Sequence, residues 1–330
     1  MKNLKLLSTI VVMLICNTII AQKLPEFGNR IDLGLIESLD LVEASGIVES
    51  RKNAHVLWSH NDRNHENRLF AMSTQGKHLG VYRIEGADNR DWEDIAIGPG
   101  PIEGMDYIYI GDIGDNYSEY DLKYIYRIPE PKVDFNQEPI EKTVYNVETI
   151  TFQYPDGNRD SETLMLDPLT KDIYVVSKRE FEDIRVYRAR YPQSTTEVLT
   201  LEHVITLNLW QIVGGDISPS GLEILMKTYT AMYYWSRKPG QNLWQAFEMS
   251  QSSCLISKKC RVKLCAGHPI VWDITLLAKR ISEFQYTFFS IPALILQRLS
   301  LMRSCKIHPQ SKMKKENGLR SIITAQKRLI

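Results

Sequence analysis

Apolar residues in this chain come in short runs, not in helical stripes. Val56-Leu57-Trp58, Tyr107-Ile108-Tyr109-Ile110, Ile173-Tyr174-Val175-Val176 and Ala231-Met232-Tyr233-Tyr234-Trp235 are rich in β-branched and aromatic residues. Turn formers separate them, among them Asn61-Asp62, Asp156-Gly157-Asn158 and Pro219-Ser220-Gly221. No stretch sustains an apolar period of 3.6 residues, so the pattern predicts an all-β fold.

The runs repeat as units. Each unit opens with small or acidic residues that lead into a strand: Glu43-Ala44-Ser45-Gly46-Ile47, Asp91-Trp92-Glu93-Asp94-Ile95, Asp160-Ser161-Glu162-Thr163-Leu164 and Gly214-Gly215-Asp216-Ile217. A second strand follows and ends in polar residues, as in Ser59-His60-Asn61-Asp62 and Gly111-Asp112-Ile113-Gly114-Asp115-Asn116. Aligning Ser45, Glu93, Glu162 and Gly215 gives spacings of 48, 69 and 53, close to one four-stranded propeller blade. One such sheet cannot bury both faces, whereas a ring of them can. About four blades are encoded before residue 250, and a ring of this unit length usually has six to eight.

Charge divides the chain near residue 250. Residues 251–330 hold 15 Lys+Arg against 3 Asp+Glu, while residues 1–250 hold 25 against 37. Cys254, Cys260, Cys265 and Cys305 all fall in that tail, and residues 22–250 have no cysteine. Two readings compete. One is a basic tail that binds a membrane or nucleic acid. The other, preferred here, is a frameshift: shifted codons for Arg261 to Arg280 permit another acidic opening, apolar strand, turn and polar strand end. On that reading residues 251–330 are aberrant, and the intact ring continues in the other frame.

The N-terminus has Lys2 and Lys5, an apolar run from Leu6 to Ile15, and a plausible cleavage point at Ala21-Gln22. It is expected to be a signal peptide over residues 1–21, which places residues 22–250, the propeller blades, in the periplasm or outside the cell. A membrane anchor is the alternative, but the run is short for spanning.

Carboxylates dominate the candidate chemistry. Glu93, Asp94, Glu162 and Asp216 open units and are expected, with Ser45, to converge near the ring axis. Asp112, Asp115 and Asn116 cluster after an apolar strand, beside two glycines. All-oxygen ligands suit calcium or magnesium. The alternative is that these side chains cap strand ends and bond backbone amides. Asp156-x-Asn158-x-Asp160 begins like a calcium loop, but Ser161 stands where that loop requires glycine. His60 is the candidate general base or ligand, against a role as a turn residue. Trp58, Trp92, Trp210 and Trp235 read as blade packing, with sugar stacking as the alternative.

Several segments together resemble secreted bacterial six-bladed propellers of the TolB-like class, with a more distant likeness to phytase-like and esterase-like propellers. They are Glu43-Ala-Ser-Gly-Ile47, Trp58-Ser-His-Asn-Asp62, Asp91-Trp-Glu-Asp-Ile-Ala96, Gly111-Asp-Ile-Gly-Asp-Asn116, Ile125-Tyr-Arg-Ile-Pro-Glu-Pro131 and Gly215-Asp-Ile-Ser-Pro219. The resemblance covers roughly residues 40–240 and implies a fold more than a reaction. Two functions remain open. One is a binding or scaffold module with a cation site on the channel face. The other is a metal-dependent hydrolase of phosphoesters or lactones. The expected partner is a small molecule, a glycan or a protein. No nucleic acid, no membrane span after cleavage and a monomeric state complete the expectation.

Overall fold

The computed structural model describes residues 33–248 and the strand 252–255. The expected signal peptide and nearly all of the tail lie outside the described residues. Within them the chain is a β-propeller of four blades, with one short helix, α1 (Leu243–Phe247).

Blade one contains β1 (Ala44–Glu49), β2 (Val56–Asn61), β3 (Arg68–Ser73) and β4 (His78–Ile84). Blade two contains β5 (Trp92–Pro99), β6 (Asp106–Asp112), β7 (Lys123–Pro129) and β9 (Glu148–Gln153). Blade three contains β10 (Ser161–Leu166), β11 (Ile173–Ser177), β12 (Ile184–Ala189) and β14 (Glu202–Leu207). Blade four contains β15 (Ile212–Ile217), β16 (Glu223–Thr228), β17 (Ala231–Ser236) and β18 (Ser252–Leu255), so its outermost strand lies just past residue 250. All four are antiparallel meanders. The first strand of each blade has a bare edge, and β1, β5, β10 and β15 pack side by side in that order.

Side-chain parity explains the unbroken apolar runs. In β6, Ile108 and Ile110 enter the core between blades one and two, while Tyr107 and Tyr109 enter the core between blades two and three. In β11, Ile173 and Val175 join that second core, and Tyr174 and Val176 join the core between blades three and four. A strand buried on both faces cannot alternate apolar with polar. Trp58 is fully buried and meets Tyr82 edge-on at 4.9 Å. Each such ring contributes about 2–3 kcal/mol by burial.

Two outer connections stitch blades together. The link from β7 to β9 carries β8 (Ile140–Val144), which pairs in parallel with β4 of blade one. The link from β12 to β14 carries β13 (Leu199–Thr200), which pairs in parallel with β9 of blade two. This insertion of β8 makes the Glu93-to-Glu162 unit the longest. Glu130 anchors its link: the buried carboxylate accepts from Lys52 N (3.0 Å), Asn53 Nδ2 (3.2 Å), Trp58 Nε1 (3.0 Å) and the Ser50 hydroxyl. No helix among the described residues is long and apolar enough to cross a membrane.

Candidate functional site

Each innermost strand begins with a register shift, a bulge that re-aims one side chain. The shifts fall between Ala44 and Ile47, Trp92 and Asp94, Ser161 and Thr163, and Ile212 and Gly214. The bulged residues at equivalent positions are therefore Ser45, Glu93, Glu162 and Val213. This corrects the sequence alignment in blade four, where Gly215 was matched to Glu93. Asp216 lies opposite Leu225, three residues past Val213, and is not the fourth equivalent. Repeat spacing alone cannot register a blade whose opening carries no acidic residue.

Glu93 has two acidic neighbours. Carboxylate oxygens of Asp62, Asp91 and Glu93 lie within 4.8 Å of one another, and all three residues are buried. Asp62 directly follows β2, Asp91 closes the link between blades, and Glu93 is the bulge. Asn89 sets their relation: its Nδ2 donates to Asp62 O (2.8 Å), and its Oδ1 accepts from Trp92 N (3.0 Å). Asp112 Oδ1 accepts from Asp91 N (2.8 Å). Ser45 Oγ donates to Glu93 O (2.8 Å) and lies 3.4 Å from Glu93 Oε2.

Blade equivalence shows what is distinctive here. In each of three blades, a residue one or two past the end of the second strand donates its N–H to the carbonyl just before the first strand. The donors are Asp62 to Glu43 (2.8 Å), Gly114 to Asp91 (3.2 Å) and Lys178 to Asp160 (3.0 Å). In blade three the Lys178 ammonium pairs with Glu162. In blade two the same position is Gly114, where a Cβ would lie 2.4 Å from Asp91 Cγ and 2.7 Å from Glu93 Oε1. Blade one offers Asp62. Where blade three brings its own cation to its carboxylate, blades one and two bring a glycine and another acid.

The other expected residues take separate places. Asp94 Oδ1 accepts from Ile95 N (3.0 Å) and its Oδ2 from Leu164 N (2.8 Å), across the bare edge of blade three. Asp216 Oδ1 accepts from Ile217 N (2.7 Å). Burial pushes its carboxyl up to about 7, and nearby Asp94 adds to this against Arg51. Burial likewise raises Asp112, opposed by Arg90. Asp115 accepts from Glu119 N (2.8 Å), Tyr120 N (2.9 Å) and Lys123 Nζ (2.7 Å). Burial pushes Asp115 up, but these donors outweigh it and hold the group below the usual carboxylate range. Burial lowers Lys123 against the pull of Asp115. Asn116 accepts from Arg179, which also pairs with Asp160. Asp156 accepts from Tyr187 Oη (2.9 Å), while Asp160 accepts from Asp115 N (2.8 Å). Backbone amides donate to Asp94, Asp112, Asp115 and Asp216, the arrangement that capping predicts, and Asp115 also pairs with Lys123.

His60 is fully buried. Its Nδ1 donates to Asn61 O (2.9 Å), and its ring stands edge-on to Trp92 at 5.6 Å. A Cβ on Gly46 would lie 2.6 Å from its Nε2. Asp62 and Asp91 stand in the sequence motifs without being among the expected cation ligands. The signal for them was their place at a strand end and a unit opening, and only the stacking of blade one on blade two joins the two motifs.

No protein family matches the sequence, and no curated protein matches it. Solved structures do. A structure titled as the Dos1 propeller shares 12% identity at a TM-score of 0.28, over 58% of this chain and 55% of that one. An auxiliary nutrient binding protein from Bacteroides thetaiotaomicron shares 10% identity at a TM-score of 0.37, over 72% of this chain and 50% of that one. The chain spans about half the length of either. Its own blade order, with four first strands packed in succession and a core between each pair of sheets, makes it a β-propeller.

Proposed function

We propose that this chain is an exported binding propeller that holds a hard divalent cation, calcium or magnesium, among Asp62, Asp91 and Glu93. The observation that carries this reading is that carboxylate oxygens of the buried Asp62, Asp91 and Glu93 lie within 4.8 Å of one another. Three carboxylates this close repel one another, and a cation or a shared proton relieves the repulsion. Oxygen ligands favour calcium or magnesium over softer ions. The ion ties blade one to blade two and stiffens the loop face, where the strands β2, β6 and β11 end.

Thermal unfolding of the chelator-treated full chain tests this. Calcium or magnesium at about one hundred times its dissociation constant should add about 2.7 kcal/mol of stability, and Asp91→Asn should remove that gain. No stabilisation by either ion, or an undiminished gain in Asp91→Asn, would sink the cation site. Turnover of a phosphoester or lactone that stops with chelator would favour the hydrolase instead. The same reading includes two further blades of a six-bladed, TolB-like ring, encoded in the shifted frame. Resequencing the codons for Trp244 to Cys260 tests that part.

A further inference from the structure

The opening of blade two repeats that of blade three with its charges changed. Gly114 stands where blade three has Lys178, since each donates its N–H to the carbonyl just before its own first strand, at 3.2 Å and 3.0 Å. By the same bonds Asp91 stands where blade three has Asp160, and Glu93 and Glu162 are the two bulges. In blade three each of these acids meets a cation of its own blade. Lys178 pairs with Glu162, and Arg179 pairs with Asp160. In blade two the equivalent places hold Gly114 and Asp115, and Asp115 pairs with Lys123 at 2.7 Å. Blade one then adds Asp62 to the group. The same backbone pattern thus carries two ion pairs in blade three and a carboxylate trio at blade two.

Space, not backbone conformation, calls for glycine at 114. Gly104 and Gly157 adopt left-handed φ values of 73° and 98°, whereas Gly114 lies outside that region. Its backbone therefore does not demand glycine. A Cβ at 114 would lie 2.4 Å from Asp91 Cγ, 2.5 Å from Asp91 Oδ2 and 2.7 Å from Glu93 Oε1. These three nearest atoms all belong to carboxylates of the trio. Any side chain here must push both carboxylates out of place.

We propose, resting on the cation site described above, that Gly114 determines which cation the site takes. Without a side chain, it leaves to a divalent ion from solution the place that the Lys178 ammonium fills in blade three. The pair of Lys178 with Glu162 is independent evidence that a positive charge belongs at this point of the fold. A lysine brings one fixed charge, which matches the single carboxylate of Glu162. Three carboxylates repel one another too strongly for one charge to balance, and a divalent ion balances them better.

The test is calorimetric titration of the chelator-treated full chain with calcium and with magnesium, using the parent, Gly114→Ala, Gly114→Met and Gly114→Lys. Thermal melting in chelator accompanies it. The parent should bind at least one of the ions. Gly114→Ala should weaken that binding about tenfold or more by displacing Asp91 and Glu93, and Gly114→Lys should abolish it. Methionine approximates the bulk of lysine without its charge. In chelator, Gly114→Lys should therefore melt above Gly114→Met, a difference that a purely steric role for glycine does not produce. Binding by Gly114→Lys at the affinity of the parent, or equal melting of the Lys and Met variants, overturns the role of Gly114 and leaves the cation site standing. A parent that binds neither ion removes the cation site itself, and with it the ion that Gly114 would admit. If circular dichroism shows that the two larger variants do not fold, Gly114→Ala decides, and undiminished binding by it overturns the proposal.

Discussion

Replacing Asp216 by asparagine should change how stability depends on pH. The carboxyl is half-buried on β15, near Asp94 and Arg51, and its own next amide is its hydrogen-bond donor. Burial raises it from an ordinary value near 3.8 to about 7. The folded state therefore holds a proton that the unfolded chain has already released across that interval. Stability contributed by Asp216 is full below about pH 4, declines as pH rises, and is gone above about pH 7. At about 1.4 kcal/mol per pH unit, the interval sets a ceiling of about 4 kcal/mol. Solvent reaches the side chain, so the expected effect is about 1–2 kcal/mol. Asparagine stays neutral throughout. In urea titrations from pH 4 to pH 8, Asp216→Asn should be the more stable form at pH 8, with a shallower decline from acid to neutral pH. Equal slopes for parent and variant would show that Asp216 has an ordinary carboxyl, and the reasoning from burial would be wrong.

Two further substitutions test how the blades are held. Glu130→Ala leaves the donors at Ser50, Asn53 and Trp58 without their shared acceptor, so it should cost about 3 kcal/mol in urea unfolding; a loss under about 1 kcal/mol would mean the anchor is dispensable. Lys123→Met leaves the buried Asp115 carboxylate with only the amides of Glu119 and Tyr120, at a cost of about 3 kcal/mol at neutral pH. Because Asp115 is held below the usual carboxylate range, its stabilisation is complete above the ordinary value and is lost as pH falls through the folded one. The gap between Lys123→Met and the parent should narrow in acid, and a gap constant down to pH 2 would contradict the assignment.

Much of the architecture was legible because it rests on local physics. Runs such as Tyr107 to Ile110 fit strands buried on both faces, and the turn residues between them mark the hairpins. The recurring acidic openings revealed the blade. They did not reveal its register in blade four, because Val213 occupies the bulge there and nothing acidic marks it. Nor could spacing show β8 and β13 crossing to neighbouring blades, since parallel pairing between distant segments leaves no local signature.

The candidate site divides along the same line. Composition and motif placed carboxylates at strand ends, and Glu93 was among those chosen from them. Whether such a carboxylate meets a lysine, an amide or two more acids depends on which strand end stacks against it. The sequence by itself determined the strands, the repeat and the supply of acidic side chains. The tertiary structure alone decided that Glu162 faces Lys178, that Asp94 caps an edge amide, and that Glu93 faces Asp62 and Asp91 across a glycine. Strand formation is set by neighbours along the chain, whereas the field at a carboxylate is set by whatever the strands and blades bring against it.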